Sequence, residues 1–244
     1  MTLANLRTLA RSYVPAADTS IISDATQLII FNQACVEIAR FTKCLPKYST
    51  FTAVVDRREY NLRTLITDYL CPLDEGYCYY YDGTDYDQID LVNIGYLNLN
   101  HSDWQTESSG DTDKGVILGD TFYPSPPSDS TVSNGYKLFY CAKPTDMSAE
   151  THYPYSGSTT EISRLAPYDE VIIDYYRVRA FRNLDLGADS SARIQEAEQK
   201  LANSMNKMKA ELSETQNKVI GTSRKARARV NMDRRGAYGP NPFS

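Results

Sequence analysis

The stretch at 167–186, PYDEVIIDYYRVRAFRNLDL, constrains this chain more than any other. Pro167 suits the first turn of a helix, where a missing N–H costs nothing, and Asp169 and Glu170 fall where the positive end of the helix dipole favours them. Gly187 marks a C-terminal stop. The apolar residues do not keep to one stripe. Val171, Tyr175 and Val178 mark one side, Ile172 and Tyr176 a second, and Ile173, Ala180 and Leu184 a third. A helix apolar on most sides has to be covered on most sides, by its own chain or by neighbouring subunits. Copies lying side by side are therefore expected.

Helical spacing recurs at both ends of the chain. Residues 3–13 place Leu3, Leu6, Leu9 and Ala10 on one side, and Val14-Pro15 ends that helix, because the residue before a proline avoids the helical region. Residues 23–42 form a second helix capped by Ser23, with Leu28, Phe31, Cys35, Ile38 and Ala39 on its main face and Ile29 and Val36 on a smaller one. From about 190 to 218, Ile194, Ala197, Leu201, Met205, Met208, Leu212, Thr215 and Val219 step by three and four, as in a coiled-coil seam.

The middle of the chain reads differently. Residues 48–62 alternate and are rich in β-branched and aromatic side chains, with DRRE as the turn between two short strands. Further strands are expected at 88–97, 115–123 and 135–141, separated by Gly, Pro, Asp and Ser clusters. Residues 144–166 are irregular. The fold class expected is α+β: a four-helix bundle core of two N-terminal and two C-terminal helices, an inserted β-rich domain, and an extended C-terminal tail. The boundaries are 1–46 and 167–220 for the helix pairs, 47–166 for the insertion, and 221–244 for the tail.

Charge is segregated. After residue 223, Arg224, Lys225, Arg227, Arg229, Arg234 and Arg235 face only Asp233, a surplus of +5 that leaves −10 on the rest of a chain whose net charge is −5. Such a tail is an arm reaching for something acidic. No apolar period survives there, so it should be extended or disordered when alone. No apolar run approaches the ~18 residues of a membrane-spanning helix, and the N-terminus does not have the pattern of a secretory signal.

Materials for catalysis are sparse. The two histidines, His101 and His152, sit in polar loops outside any metal-ligand spacing. The five cysteines are odd in number and scattered, which points to reduced thiols made in a cytosol. Cys35 falls on the main face of the second helix, as a packed thiol. Asp82, Asp85, Asp87 and Asp90 have the look of a calcium loop, but the positions that need Gly and Glu hold Asp90 and Tyr96. Phosphate-cradling glycine motifs are absent. The chain is read as non-enzymatic, with no cofactor and no metal. Nineteen tyrosines, including Tyr77, Tyr79, Tyr80 and Tyr81, suit either protein contact or β-sheet packing; a carbohydrate-binding surface also fits them.

The opening LRTLARSYVPAADTSIISDATQLIIFNQACVEIARFTKCL and then YSTFTAVVDRREYNL, followed later by TFYPSPPSDSTVSNGYKLFYCAKPTDMS and LAPYDEVIIDYYRVRAFRN, together resemble the tailed-bacteriophage head-to-tail adaptor (connector) proteins. The resemblance covers roughly residues 3–215; the acidic segment 64–87 departs from it. It implies a structural virion protein, made in the host cytoplasm and placed at the head–tail interface. It further implies a homo-oligomeric ring, commonly a dodecamer, that joins the portal protein to the tail or nozzle protein and leaves a channel for DNA ejection. Carried over by position, Arg224, Lys225, Arg227, Arg229, Arg234, Arg235, Tyr238 and Phe243 form a portal-binding arm. Ring and bundle packing falls to Leu28, Phe31, Ile38, Val171, Ile172, Tyr175, Tyr176, Val178, Leu201, Met205 and Met208. DNA is a partner only in passage, and no membrane partner is expected. The alternatives are a tail-side nozzle or fibre-attachment subunit, and a nucleic-acid-binding module using the basic tail.

Overall fold

A computed structural model describes residues 1–14, 21–73, 77–183 and 190–235; side chains from 214 onward fall outside the description. Helix α1 (Leu3–Tyr13) is capped by the Thr2 hydroxyl, which accepts from the Asn5 N–H, and buries Leu3, Leu6 and Ala10. Helix α2 (Asp24–Thr42) is capped by Ser23 and ends where Lys43 turns left-handed, with its N–H donated to the Ala39 carbonyl. A 3-10 turn at Ala166–Tyr168 leads into α5 (Asp169–Asn183), and α6 spans Ser190–Arg235. Helix α5 lies against α1, α2 and α6.

The apolar sides of α5 are hidden within a single chain. Ile172, Tyr176 and Ala180 are fully buried, Val171, Ile173, Tyr175 and Val178 nearly so, and Phe31 of α2 meets the Tyr176 ring at 5.5 Å between centroids. The expectation that neighbouring copies must cover this helix is therefore overturned: α1, α2 and α6 supply the cover. Leu184 and Gly187, like Pro15, lie outside the described residues.

Between the helices sits one mixed sheet. Its strands are β1 (Pro46–Ala53), β2 (Tyr60–Asn61), β3 (Tyr69–Pro72), β4 (Cys78–Tyr81), β5 (Tyr86–Leu91), β6 (Lys114–Leu118), β7 (Thr121–Ser125) and β8 (Val132–Ala142). The path runs β1-β8-β4-β5-β6-β7-β2, with β3 also on β8, and only β5–β6 is parallel. Short helices α3 (Leu62–Leu65) and α4 (Ile94–Asn100) interrupt it. The sheet curls into a half-barrel, because strands at opposite ends of the path touch. Phe51 of β1 lies 5.5 Å from Tyr60 of β2, and the Val54 N–H donates to the Tyr60 hydroxyl at 2.8 Å. Tyr136 is the hub, with rings of Phe51, Tyr60, Tyr80 and Phe122 between 5.2 and 5.6 Å away. Its hydroxyl is paired with that of Thr112 at 3.0 Å, so the polar tip is satisfied inside the cluster.

A four-helix bundle core is not what forms. Most of the largest fully buried side chains, Tyr60, Tyr80, Tyr136, Phe122, Leu62 and Ile89 among them, come from the β-rich part. They belong to the same continuous hydrophobic cluster as Leu6, Phe31, Ile38, Ile172 and Met208 of the helices. The architecture is a curved sheet with a helical layer packed on one shared core. Of the extended tail expected at 221–244, the part up to Arg235 instead continues α6 as helix, and 236–244 lie outside the described residues. Within the middle segment, β1 and β2 flank the DRRE turn but pair with β8 and β7 rather than with each other. The strand expected at 88–97 is split, its second half being α4, which Asn93 caps by accepting from the Tyr96 N–H. The stretch 115–123 spans two strands turned at Gly119, whose φ of +59° suits a residue without Cβ.

Asp68 ties several strands at one end of the sheet. Its carboxylate accepts from Lys47 Nζ of β1 at 2.8 Å and from the Tyr140 hydroxyl of β8 at 2.5 Å, while its backbone carbonyl accepts from the Lys143 N–H. Burial pushes the carboxyl pKa up, but the two hydrogen bonds and the Lys47 charge outweigh it and hold the group below 3.8. A depressed folded pKa means stabilisation that is present above the unfolded value and lost as pH falls through the folded one. Urea midpoints should therefore drop on acidification below about pH 4. The Asp68→Asn protein should show a shallower acid slope, and an unchanged slope would contradict this role.

Candidate functional site

Among the described residues no three His, Cys, Asp or Glu side chains converge at metal-holding distance. His101 ends α4, and His152 Nδ1 accepts from the Ser148 N–H at 3.3 Å. Cys35 is buried, and burial pushes its thiol up to about 12. The calcium-like loop is a hairpin turn: the Asp82 carboxylate accepts from the N–H groups of Thr84 and Asp85, closing β4 onto β5. These two hydrogen bonds also lower its pKa.

What the chain does present is surface for contact. Along α2, α5 and α6 runs an open groove with two main reaches, of about 880 and 600 Å³. Tyr175 and Arg179 of α5 are common to both. The Arg179 guanidinium donates to the Tyr175 hydroxyl at 2.8 Å, and Lys209 of α6 lies 5.5 Å from the Phe41 ring centroid. Arg40, Lys43, Arg63, Lys143 and Lys209 line it against Glu37 and Asp146, so a cationic groove crosses a protein whose body is acidic. Its apolar lips are Ile29, 56% exposed, and Phe41, 41% exposed. Ile29 belongs to the smaller apolar stripe visible in the α2 sequence. The cationic rim was not legible there, because it gathers from α2, the segments after β2 and β8, and α6.

The outer face of the sheet is a second contact surface. Alternation in CYYY sends Cys78 and Tyr80 into the core and leaves Tyr79 and Tyr81 outside. Tyr48, Tyr77 and Tyr79 surround Phe139 at 5.6 to 6.4 Å, and Lys137 Nζ stands over Tyr48 at 4.6 Å. The tyrosines thus divide between the two roles their abundance allows, core rings and surface rings.

The residues named for ring and bundle packing gather in one place. Phe31, Ile38, Val171, Ile172, Tyr175, Tyr176, Val178 and Met208 are buried, and Leu28, Leu201 and Met205 are partly buried against them, all within the single chain. Of the basic arm, Arg224, Lys225, Arg227, Arg229, Arg234 and Arg235 lie on the helical backbone of α6. Tyr238 and Phe243, like the side chains of Thr215 and Val219, lie outside the described residues.

A sequence model of the SU10 adaptor protein family matches residues 1–230. The chain belongs to the SU10 adaptor protein family. It is a bacteriophage structural adaptor, a component of the virion that works through contacts with other virion proteins. No curated protein matches it. Among the described residues no helix is long and apolar enough to cross a membrane.

One polar feature positions the groove and was not visible in the sequence pattern. Asp174 of α5 is only 5% exposed; it accepts from Ser204 Oγ and Lys200 Nζ of α6, each at 2.9 Å. With Tyr168 donating to Glu211 at 2.7 Å and Arg182 paired with Glu198, it fixes the antiparallel register of α5 and α6. The Arg182–Glu198 pair is about half exposed and contributes little. Asp174, accepting charge-assisted bonds while buried, matters more. Asp174→Ala should lower unfolding free energy by about 2 kcal/mol and raise hydrogen exchange along 194–212; exchange unchanged there would remove Asp174 from this role.

Proposed function

We propose that this adaptor is the head-to-tail joint of the particle. It forms a ring, of twelve copies by the resemblance, that joins the portal to the tail or nozzle and leaves a passage for DNA. The observation that carries this reading is the family match over residues 1–230 together with a basic segment on the far end of α6. Asp174 and the apolar seam from Leu201 to Leu212 anchor α6 to the body. The helix then runs on to Arg235 with Arg224, Lys225, Arg227, Arg229, Arg234 and Arg235 clustered in it. The arginines of such a cationic helix would supply bidentate donors for carboxylates on a portal surface.

Ring formation then rests on surfaces that a folded monomer leaves open, chiefly the groove along α2, α5 and α6. Twelve arms, each modest alone, act together once a ring fixes their positions. The −10 carried by the rest of the chain suits a lumen along which DNA slides without sticking.

Deleting residues 222–244 should leave the circular dichroism signal of a folded protein and a nearly unchanged unfolding midpoint, because Leu201, Met205, Met208 and Leu212, which pack α6 onto the core, all precede the deletion. The truncated protein should fail to co-sediment with portal protein, and binding by the full chain should weaken as salt rises. Normal co-sedimentation of the truncated protein would defeat the arm assignment.

A further inference from the structure

Four of the five cysteines are buried, and three of them behave as packing. Burial pushes the thiols of Cys35 and Cys78 up to about 12 and that of Cys44 up to about 11. Cys71 differs in every respect. It is only partly buried, and Lys43, the residue that ends α2, places its ammonium 3.0 Å from the Cys71 sulfur. Lys43 is held there by its own left-handed backbone, φ 55°, and by the N–H it donates to Ala39. Directly opposite Cys71 in the β3–β8 ladder stands Cys141, which is fully buried and donates its S–H to the Ala39 carbonyl at 3.3 Å. Directly paired antiparallel residues have Cα atoms about 4.5–5.5 Å apart. That lies inside the window of about 4.4–6.8 Å spanned by disulfides.

We propose that Cys71 is a nucleophilic thiolate that takes up small-molecule disulfides, with Cys141 as the thiol that resolves the adduct. The charged and titratable groups facing Cys71 are Lys43 and Arg40 from α2, Cys141 from β8 and Tyr69 from its own strand. The neighbouring Cys141 thiol does most to lower the Cys71 pKa. Burial opposes it, and the Lys43 hydrogen bond and the charges of Lys43 and Arg40 add to the lowering. The Cys71 sulfur beside it, with burial, raises Cys141. One member of the pair is thus poised as thiolate and the other as proton donor, an asymmetry suited to sequential exchange.

With glutathione disulfide the steps balance. The Cys71 thiolate attacks one sulfur of the disulfide, forming a mixed disulfide and expelling one glutathione thiolate. Cys141 gives its proton to that thiolate and attacks the Cys71 sulfur, expelling the second glutathione, which takes its proton from solvent. Two protein thiols are oxidised and one glutathione disulfide is reduced to two glutathione thiols. The product is a covalent staple between β3 and β8, beside the end of α2.

The test uses the full chain incubated with glutathione disulfide and mapped by peptide mass spectrometry. The unmodified sequence should yield a linked Cys71–Cys141 peptide pair. Cys141→Ala should instead retain glutathione on Cys71, and Cys71→Ser should leave Cys141 untouched. In parallel, iodoacetamide should alkylate Cys71 at least about tenfold faster than any other cysteine near neutral pH, since thiolate fraction changes about tenfold per pKa unit. Lys43→Gln should move the midpoint of that pH–rate profile upward. Alkylation of Cys71 no faster than that of Cys44, a mixed disulfide on the unmodified sequence that never resolves, or an unmoved midpoint in Lys43→Gln would overturn the assignment. The peptide map of the unmodified chain decides the point even if a variant fails to fold.

Discussion

Everything in this protein depends on how α5 is covered. A helix carrying Val171, Ile172, Ile173, Tyr175, Tyr176, Val178 and Ala180 cannot stand in water. Here α2 meets it with Phe31, α6 meets it with Ala197 and Met208, and α1 closes a further side with Leu3, Leu6 and Ala10. The chain solves the problem alone. Whatever assembly this adaptor enters is therefore a matter of the surfaces left over, not of completing an unfinished core.

The sheet is joined to that solution rather than appended to it. Cys141 of β8 reaches the Ala39 carbonyl of α2, and the Arg164 guanidinium reaches the Cys44 carbonyl. The aromatic cluster around Tyr136 and the helix contacts around Tyr176 belong to one hydrophobic body. Such continuity makes a stiff platform, and stiffness has a use. A groove between helices keeps its shape only if the layer beneath it does not flex. Polar ties at Asp68 and Asp174 set register where apolar packing alone would let elements slide.

Much of this was legible in the sequence. Helical periods located α1, α2, α5 and α6, because each has to keep an apolar stripe against the same core. The family resemblance, carried by short motifs in a fixed order, agrees with the match across residues 1–230 as far as a phage adaptor protein. What could not be read was three-dimensional closure. Whether the sides of α5 face neighbours or its own chain depends on where α1 and α6 return, and no periodicity encodes that. The strands β3 and β4 are only four residues each, too short to show a period, and α4 hides in a strand-like run because its cap is a single asparagine, Asn93. The tail read as unstructured because its charges carry no apolar stripe; its helix is a continuation of α6. The groove, the Asp174 tie and the Lys43–Cys71–Cys141 group all join residues far apart in the chain, so spacing alone gives no sign of them.

The central claim is that one chain suffices to bury α5. Equilibrium urea unfolding at widely different protein concentrations tests it most directly, because stability drawn from association makes the midpoint depend on concentration. A single cooperative transition with a concentration-independent midpoint is the predicted result. A midpoint that climbs steadily with concentration, with tyrosine burial lost on dilution, would contradict it.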